Sequence, residues 1–306
     1  MAASGIPFSS SWRQKAIPYL FLLPALLLLA ITVFYPALQA FSLSFTQYEL
    51  DLTKAPEWVG FANFQRLWRD RVFWLTLKNT LLYLIGVVPL LVILPLALAI
   101  LVNQKLRGIN GFRMAYYIPV IVSMVVAGIA WKALYASNGI LNQGFALLGF
   151  SDGIPWLTSP QWALWSVMVV TIWKGIGYYM VIYLAGLQGI PQELYEAAAI
   201  DGSDGWKCHW DITIPLMRPY SLLVGVLSSI SALKVFEEVY IMTQGGPLNA
   251  SKTVVYYVYE RAFQDLEMNY ASAIGLVLFG VIFVFSLINL KLSGGQNRLE
   301  ESQRVR

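Results

Sequence analysis

Few side chains in this sequence could carry out covalent or metal chemistry. Cys208 is the one cysteine and His209 the one histidine, so neither a thiolate zinc site nor a Cys-x-x-Cys redox pair can form, and no histidine cluster is available. Both residues lie in a polar segment between apolar runs, which leaves no Ser-His or Cys-His centre inside a membrane. The sequence therefore predicts no catalytic residue and no metal site, and it argues against an intramembrane enzyme.

One stretch imitates a phosphate-binding loop. Gly246 is followed after four residues by Ser251-Lys252-Thr253, whereas the pattern G-x-x-x-x-G-K-[ST] needs a second glycine where Ser251 stands. No strand and helix of a soluble nucleotide-binding unit flank it, and the topology predicted below places it outside the cell. We therefore expect this chain to bind no nucleotide, so that any energy from ATP must come from another polypeptide.

A polar and aromatic run interrupts a long apolar segment in the second half of the chain. It reads Trp173-Lys174-Gly175-Ile176-Gly177-Tyr178-Tyr179. Binding sites for small molecules combine apolar and aromatic walls with a few polar groups, and glycine lets a backbone come close to a ligand. The run could bind a sugar through ring stacking and hydroxyl contacts, and an aromatic packing seam without a ligand is the alternative.

Charged side chains also fall inside a later apolar run. A charge deep in a bilayer costs about 2.5 to 3.5 kcal/mol on insertion scales, so it needs a partner or a watery cavity. Lys234 precedes Glu237 and Glu238 by three and four residues, which is the spacing of neighbours on one helix face. We expect an internal ion pair there. In the alternative of an ion-driven secondary transporter, these groups would form the coupling relay.

Membrane helices must position these groups. Of the 306 residues, 58% are hydrophobic and 12% charged, against about 25% charged in soluble domains. A span needs about 20 mostly apolar residues, and six runs are long enough: 16–41, 72–102, 112–136, 161–187, 220–243 and 269–290. The sequence predicts an all-α membrane protein with six transmembrane helices, forming a single transmembrane domain over residues 1–306.

The distribution of lysine and arginine predicts the orientation, because cytoplasmic loops carry the excess. With both termini inside, the outer segments hold Lys54, Arg66, Arg69, Arg71, Lys252 and Arg261. The inner segments hold more, namely Arg13, Lys15, Lys105, Arg107, Arg113, Lys207, Arg218, Lys291, Arg298, Arg304 and Arg306. We predict a multi-pass protein with both termini in the cytoplasm. The scattered basic residues form no stripe for nucleic acid.

The first apolar run follows basic residues, as a secretory signal does. It is longer than the apolar core of a signal peptide, and no clear small-x-small exit follows it. We expect a retained anchor, with a cleaved signal peptide as the alternative.

The one long inner loop, residues 189–217, reads as two short helices. Pro191 suits the start of the first helix and Gly202 its C-terminal end. A second helix can begin with Ser203 or Asp204 as N-cap. The loop is therefore predicted to be ordered.

Two tryptophans lie on the second of these helices, which we expect to stop before Pro215. Trp206 and Trp210 share one face at helical spacing. Exposed aromatic rings of this size need a lipid headgroup layer or a partner to cover them. Packing against the membrane surface alone is the alternative to a partner.

The same loop carries a spaced signature. Glu196-Ala197-Ala198 is followed by three residues, Gly202, nine residues and Ile212-Thr213-Ile214-Pro215. This resembles the EAA signature of permease subunits in binding-protein-dependent ABC importers, with Ile214 in place of a leucine. The resemblance implies that 189–217 is a cytoplasmic coupling loop that docks on the ATP-hydrolysing subunit. The coupling residues that it implies are Glu196, Ala197, Ala198, Gly202, Trp206, Ile212 and Pro215.

Other stretches resemble a narrower group, the carbohydrate permeases of the maltose, lactose and glycerol-phosphate type. They are residues 190–195, 131–142 and 243–247, and the Gly-Gly-Pro of the last is more typical of the first permease in such systems. The resemblance covers essentially the whole chain and implies the type I ABC importer permease architecture in a bacterial inner membrane. It places Lys174, Gly175, Tyr178, Ser231 and Val235 on the substrate cavity.

The resemblance also implies partners. They are a second, homologous permease, two ATPase subunits that bind ATP and Mg²⁺, an extracytoplasmic solute-binding protein, membrane lipid, and a sugar, oligosaccharide or polyol as substrate. No cofactor is expected in this chain and no nucleic acid as partner. An ion-coupled secondary transporter of a small polar solute is the alternative function, although such carriers do not need an EAA loop.

Overall fold

The fold is that of a computed structural model, which describes residues 11–47, 56–104, 107–149 and 153–304. Lys54, Lys105 and Arg306, which contribute to the predicted orientation, lie outside these ranges. Within the described ranges the chain is helical apart from loops and one pair of short strands, β1 (Thr46–Gln47) and β2 (Glu57–Trp58). The strands are antiparallel, with Thr46 opposite Trp58. The predicted all-α fold class is therefore confirmed.

Fifteen α-helices follow one another along the described residues. The first half contains α1 (Ser11–Leu29), α2 (Tyr35–Leu43), α3 (Ala62–Arg69), α4 (Arg71–Val102), α5 (Ile109–Ile121), α6 (Met124–Leu134) and α7 (Ile140–Leu147). The second half contains α8 (Ala163–Gln188), α9 (Gln192–Ile200), α10 (Gly205–Cys208), α11 (Ile214–Leu216), α12 (Arg218–Leu233), α13 (Glu237–Met242), α14 (Val254–Tyr259) and α15 (Met268–Arg304). Three π-helical turns occupy Ala30–Phe34, His209–Thr213 and Glu260–Gln264.

Four helical stretches are long and apolar enough to cross a membrane without a break. They are Ile17–Leu43, Arg71–Val102, Ala163–Gln188 and Met268–Asn289. Two further crossings are made if each of two bent helix pairs counts as one span. This gives up to six spans within the described residues, in agreement with the six apolar runs.

The predicted third span, residues 112–136, is not one straight helix. α5 and α6 meet at an angle of 100°. Ser123 adopts an extended conformation between them, and its hydroxyl accepts a hydrogen bond from the amide of Val126 at 3.4 Å, as an N-cap residue does. The apolar run continues through the break, so hydrophobicity alone predicted an uninterrupted helix.

The predicted fifth span, residues 220–243, is interrupted as well. α12 ends at Leu233, and the chain forms a separate short helix, α13, from Glu237. At its other end, α12 is bent by 65° from the segment Gly205–Leu216. The cavity described below opens beside the interruption.

α4 and α8 form the centre of the molecule and run in the same direction. A Cβ at Gly86 would touch Met168, and a Cβ at Gly175 would touch Leu91, so the helices are in contact over several turns. Tyr83, Val87 and Leu91 of α4 join the largest buried cluster with Val167, Met168 and Val170 of α8. Because the helices are parallel, α3 and the loop between α8 and α12 lie at opposite ends of the subunit.

A half-buried carboxylate joins three helices at the α3 end. Asp70 caps α4, accepting hydrogen bonds from the amides of Val72 (2.8 Å) and Phe73 (3.3 Å). Its other oxygen accepts from the hydroxyls of Tyr257 and Tyr270, both at 2.6 Å. Burial alone would raise the pKa of Asp70, but these four hydrogen bonds outweigh it and hold the pKa below its ordinary value.

Candidate functional site

The first half of the loop between α8 and α12 has the predicted helix. α9 runs over Gln192–Ile200 with Pro191 as its N-cap residue. Gly202 follows its end with φ +78°, a left-handed conformation that costs a residue with a Cβ about 1–2 kcal/mol. Glycine at this position of the signature therefore has a direct backbone reason.

The second half of the loop differs from the prediction in two details. Asp204 is the N-cap residue of α10 but makes no side-chain capping bond. The helical path also does not stop before Pro215, since it continues through the π-helical turn His209–Thr213 into α11 and ends at Leu216. Pro215 is in the first turn of α11.

Polar contacts that the sequence did not reveal brace the two halves of the loop. Ser203 donates a hydrogen bond of 2.6 Å to Asp211. The buried hydroxyl of Thr213 lies 3.1 Å from the hydroxyl of Tyr195 and 3.0 Å from Nδ1 of His209. Tyr195 belongs to α9 and the other two to the π-helical turn, so this chain of bonds ties the helices together. A short polar contact between helices has no sequence periodicity that could have predicted it.

The residues named by the signature divide between the inside and the outside of the loop. Ala198 is buried, and Ile212 and Pro215 are half-buried. Glu196 and Ala197 are exposed, and Oε1 of Glu196 accepts a hydrogen bond of 3.1 Å from Gln192. The buried members hold the helices against each other, while the exposed ones are free to meet another molecule.

The loop exposes several large apolar side chains among its polar ones. Trp206 is 69% and Trp210 68% exposed, as predicted, and Ile200 and Leu216 are exposed as well. Trp206 contacts the ring of His209, with centroids 5.7 Å apart. A rigid helical projection that carries exposed tryptophans is suited to insertion into a groove of a partner.

A second site lies halfway along α8. A cavity of about 710 Å³ opens between α4, α8, α12 and α13. All five residues assigned to a substrate cavity line it: Lys174, Gly175, Tyr178, Ser231 and Val235. The structure thus brings together residues more than 50 positions apart, and their role toward a substrate stays a prediction.

Lys174 is engaged by the backbone at the break in the third span. Its ammonium donates hydrogen bonds to the carbonyls of Val122 (2.6 Å), Val120 (3.3 Å) and Pro119 (3.4 Å). These carbonyls belong to the last turn of α5 and the residue after it, where a helix has no intrahelical donors for its carbonyls and a cation is favoured. Lys174 therefore borders the cavity and also stabilises the bend between α5 and α6.

The expected ion pair of Lys234 with Glu237 and Glu238 is not formed. Lys234 follows the last residue of α12 and the glutamates begin α13, so helical spacing does not apply across the break. Among the described residues, Lys234 makes no ion pair with either glutamate. All three side chains line the cavity instead.

A series of hydrogen bonds on the cavity wall was not predicted from the sequence. The hydroxyl of Tyr83 is hydrogen-bonded to that of Thr171, which also lies 3.4 Å from Oε1 of Glu238. These residues come from α4, α8 and α13. Thr171 precedes Lys174 and Tyr178 by three and seven residues on α8, and this helical spacing was the one signal that could have identified it.

Two glycines of α8 mark close helix contacts. A Cβ at Gly177 would lie 2.1 Å from the carbonyl oxygen of Tyr116 in α5, and one at Gly175 would lie 2.8 Å from Leu91 in α4. Tyr178 stands beside them with 48% of its surface exposed. The glycines let α8 pack closely on two sides while Tyr178 faces the cavity.

The stretch that imitates a phosphate-binding loop has another role in the fold. The ammonium of Lys252 is buried and forms a salt bridge of 2.6 Å with Glu260. Ser251 donates hydrogen bonds to Gly246 and Thr243. These contacts fold the chain between α13 and α14 onto itself and tie it to the π-helical turn Glu260–Gln264. Within the described residues, no three His, Cys, Asp or Glu side chains are grouped to hold a metal ion.

The chain is similar to known membrane components of transport systems. Residues 74–304 match the model of the family described as binding-protein-dependent transport system inner membrane component. The chain is 36% identical to the arabinooligosaccharides transport system permease protein AraP of Bacillus subtilis (strain 168), over 93% of this chain and 92% of that protein. It is 34% identical to the lactose transport system permease protein LacF of Rhizobium radiobacter, over 88% and 91% of the two chains.

A solved structure has the same fold. It is a chain of a bacterial alginate ABC transporter in complex with an alginate pentasaccharide-bound periplasmic protein, with a TM-score of 0.80 and 24% identity. The match covers 93% of this chain and 97% of that one. The chain therefore shares the fold of a chain of that transporter.

Proposed function

The chain belongs to the family of binding-protein-dependent transport system inner membrane components, and from this we propose that it forms half of the translocation path of an ATP-driven sugar importer. The substrate class is a sugar, an oligosaccharide or a related polyol. The observation that carries the proposal is the braced loop between α8 and α12, with Trp206 and Trp210 exposed on its outer face.

The loop has the properties of a coupling element. It combines the EAA spacing with two helices held together through Thr213, and it follows α8, which lines the cavity. A rigid element can pass a displacement from one end to the other, since packed elements move as bodies. In this proposal two separate ATPase subunits bind ATP and Mg²⁺, and one of them holds the loop in a groove. This chain takes part in no chemical step.

The size and lining of the cavity favour a small polar substrate. Its volume of about 710 Å³ is within the roughly 300 to 1,000 Å³ of small-molecule sites. Tyr178 offers an aromatic face, and Ser231, Glu237 and Glu238 offer hydroxyl and carboxylate groups for sugar hydroxyls. Two relatives are named for lactose and for arabinooligosaccharides, which favours a carbohydrate here.

The assembly in this proposal needs more chains. A second, homologous permease closes the other side of the cavity, and a solute-binding protein delivers the substrate at the α3 end. The alginate transporter is described in complex with a periplasmic protein, which supports such a delivery. We propose an orientation with the coupling loop and both termini in the cytoplasm. ATP binding would draw the two coupling loops together and turn the cavity outward, and hydrolysis would reset it.

The coupling role is tested with the exposed tryptophans. In the complete importer we expect Trp206→Ala combined with Trp210→Ala to reduce co-purification of the ATPase subunits and to abolish uptake, because the contact face is lost. The isolated ATPase subunits should still hydrolyse ATP. The matched control is Trp58→Ala, which removes a tryptophan with 71% exposure from the opposite end of the subunit and should leave the association intact. Normal uptake and association in the double variant would refute the coupling role.

The energy source and the substrate are tested in proteoliposomes. Vanadate should stop uptake through an ATP-driven importer and spare an ion-driven carrier. A panel of labelled mono-, di- and oligosaccharides, polyols and glycerol phosphate then identifies the substrate. Uptake that resists vanadate but stops with an ionophore would favour the ion-coupled alternative.

A further inference from the structure

Two exposed tryptophans form a fixed corner at the junction of α3 and α4. Trp68 is 71% and Trp74 42% exposed. Their rings meet edge to face with centroids 5.1 Å apart, and the indole N–H of Trp74 donates a 3.0 Å hydrogen bond to the carbonyl of Trp68. The corner is therefore rigid although it is open to its surroundings.

Three cations without a carboxylate partner surround this corner. Arg69, Arg71 and Lys78 are exposed, and none of them makes an ion pair or side-chain hydrogen bond with any part of the chain that the structure describes. The nearby Arg66 does pair, with Glu267 at 2.9 Å. Asp70 makes no direct ion pair with the three, because its oxygens accept hydrogen bonds from two tyrosines and two amides.

The patch continues into an apolar stripe along α4. Arg71, Trp74, Lys78, Leu81 and Ile85 are all exposed and follow one another at three or four residues, the spacing of one helix face. The character of the stripe changes from cationic and aromatic to aliphatic within 14 residues, about 21 Å of helix.

The stripe lies on the side of α4 that is opposite to the cavity. Tyr83, Val87 and Leu91 line the cavity, so the stripe faces away from the translocation path. α4 has 32 residues and is about 48 Å long, which exceeds the roughly 30 Å of the hydrocarbon core. About 18 Å of the helix therefore extends beyond the hydrocarbon core, and its cationic first turns are the part suited to a headgroup layer.

We propose that Trp68, Arg69, Arg71, Trp74 and Lys78, here called the α3–α4 patch, bind the headgroup of an anionic phospholipid in the leaflet opposite to the coupling loop. Three unpaired cations complement a phosphodiester, and tryptophan is favoured at the level of the headgroups. The continuous aliphatic stripe below the patch fits acyl chains, which a soluble protein partner does not offer. The site also explains why cations cluster at the end of the subunit where the positive-inside rule predicts few. It does not depend on which solute is carried.

The test uses a photoreactive benzoylphenylalanine in place of Gln65, an exposed residue of α3 one turn from Arg69. The complete importer is reconstituted in vesicles of phosphatidylcholine and phosphatidylglycerol, each radiolabelled in turn, and cross-linked lipid is counted. We expect phosphatidylglycerol to be captured preferentially. Each of Arg71→Gln and Lys78→Gln should reduce that preference about fivefold, the equivalent of about 1 kcal/mol per cation near a membrane surface. Arg218→Gln, an exposed arginine at the opposite end, should not change it.

Two results would overturn the proposal. Equal capture of both lipids by the unaltered importer would show that the patch does not select charge. Cross-linking to the solute-binding protein, with lipid capture lost when that protein is added, would assign the patch to a protein partner instead. If one of the two glutamine variants fails to assemble, the other still decides the matter.

Discussion

At the scale of single residues, the charged side chains within the membrane spans differ in whether backbone carbonyls bind them. Lys174 lies in the middle of a membrane span, and its ammonium is bound by three carbonyls at the end of α5. Lys234, Glu237 and Glu238 are not paired with one another but face the cavity. The first charge therefore stabilises a bend in the fold, while the other three are available to a polar substrate.

Lys174→Met tests the structural part of this distinction. Hydrogen bonds to a charged group are worth about 1.5–3 kcal/mol each, and methionine would leave the three carbonyls unpaired. We expect a clearly lower thermal midpoint of the purified complex and loss of uptake. Lys132→Met is the control, because Lys132 is exposed and lies 3.4 Å from a single carbonyl, that of Ile241. Equal midpoints for the two variants would show that Lys174 does not hold the bend.

Asp70 gives a prediction on pH. Because the pKa of Asp70 is lowered in the folded chain, its ionised form stabilises the fold above the unfolded pKa of about 4 and this contribution is lost as the pH falls through the lower folded pKa. Asp70→Asn should reduce the free energy of unfolding near neutral pH by about 1–3 kcal/mol, with the difference from the unaltered protein shrinking below about pH 4.

The measurement for Asp70 is the thermal midpoint of both proteins over a pH series. Asp265→Asn provides a matched control, because Asp265 makes an exposed ion pair with Arg261 at 2.9 Å, and such pairs contribute about 0–1 kcal/mol. A difference between Asp70→Asn and the unaltered protein that does not vary with pH would contradict the charge-based explanation.

At the scale of elements, the interruptions in the helices position the charged side chains. The break between α5 and α6 supplies the carbonyls for Lys174, and the break between α12 and α13 turns Lys234 and the glutamates toward the cavity. In the coupling loop, the π-helical turn His209–Thr213 connects α10 to α11. π-Helical turns are frequent at functional sites, and this one carries the contacts that tie α9 to the second half of the loop.

Thr213→Val tests whether this bracing matters for coupling. Valine has nearly the same shape but removes the hydrogen bonds to Tyr195 and His209, each worth about 0.5–1.5 kcal/mol. We expect a looser loop, so that the complete importer transports less substrate for each ATP hydrolysed. The readouts are uptake and phosphate release in the same proteoliposomes. Thr32→Val, at an exposed position of the first span, should leave this ratio unchanged, and an unchanged ratio in Thr213→Val would mean that the brace is dispensable.

At the scale of the whole molecule, one helix connects the cavity with the loop of residues 189–217. The cavity lies beside α8, and the coupling loop begins where α8 ends. A displacement of the loop can therefore reach the cavity through a single helix. The α3 end is tied together by Asp70, Tyr257 and Tyr270, which gives the helices a common anchor at the other side.

Tyr178→Ala tests whether the cavity binds the transported substrate. Loss of an aromatic contact worth about 1 kcal/mol should weaken the apparent affinity for the transported sugar roughly fivefold, with little change in the assembly of the complex. Uptake measured over a range of substrate concentrations gives the affinity. Tyr19→Ala, which removes an exposed tyrosine of α1 that does not line the cavity, is the control. The same affinity in both variants would remove Tyr178 from the substrate path.

The sequence by itself determined the helical membrane architecture, the spacing of the EAA signature and the start and end of α9, because hydrophobic length and local backbone preferences act over a few consecutive residues. The family followed from the same spacing. Only the tertiary structure decided that Lys174 binds the end of α5, that Lys234 is separated from Glu238, and that Tyr83 and Thr171 join the cavity wall. These depend on helix breaks inside uniformly apolar runs and on contacts between residues far apart in the chain, for which local hydrophobicity carries no signal.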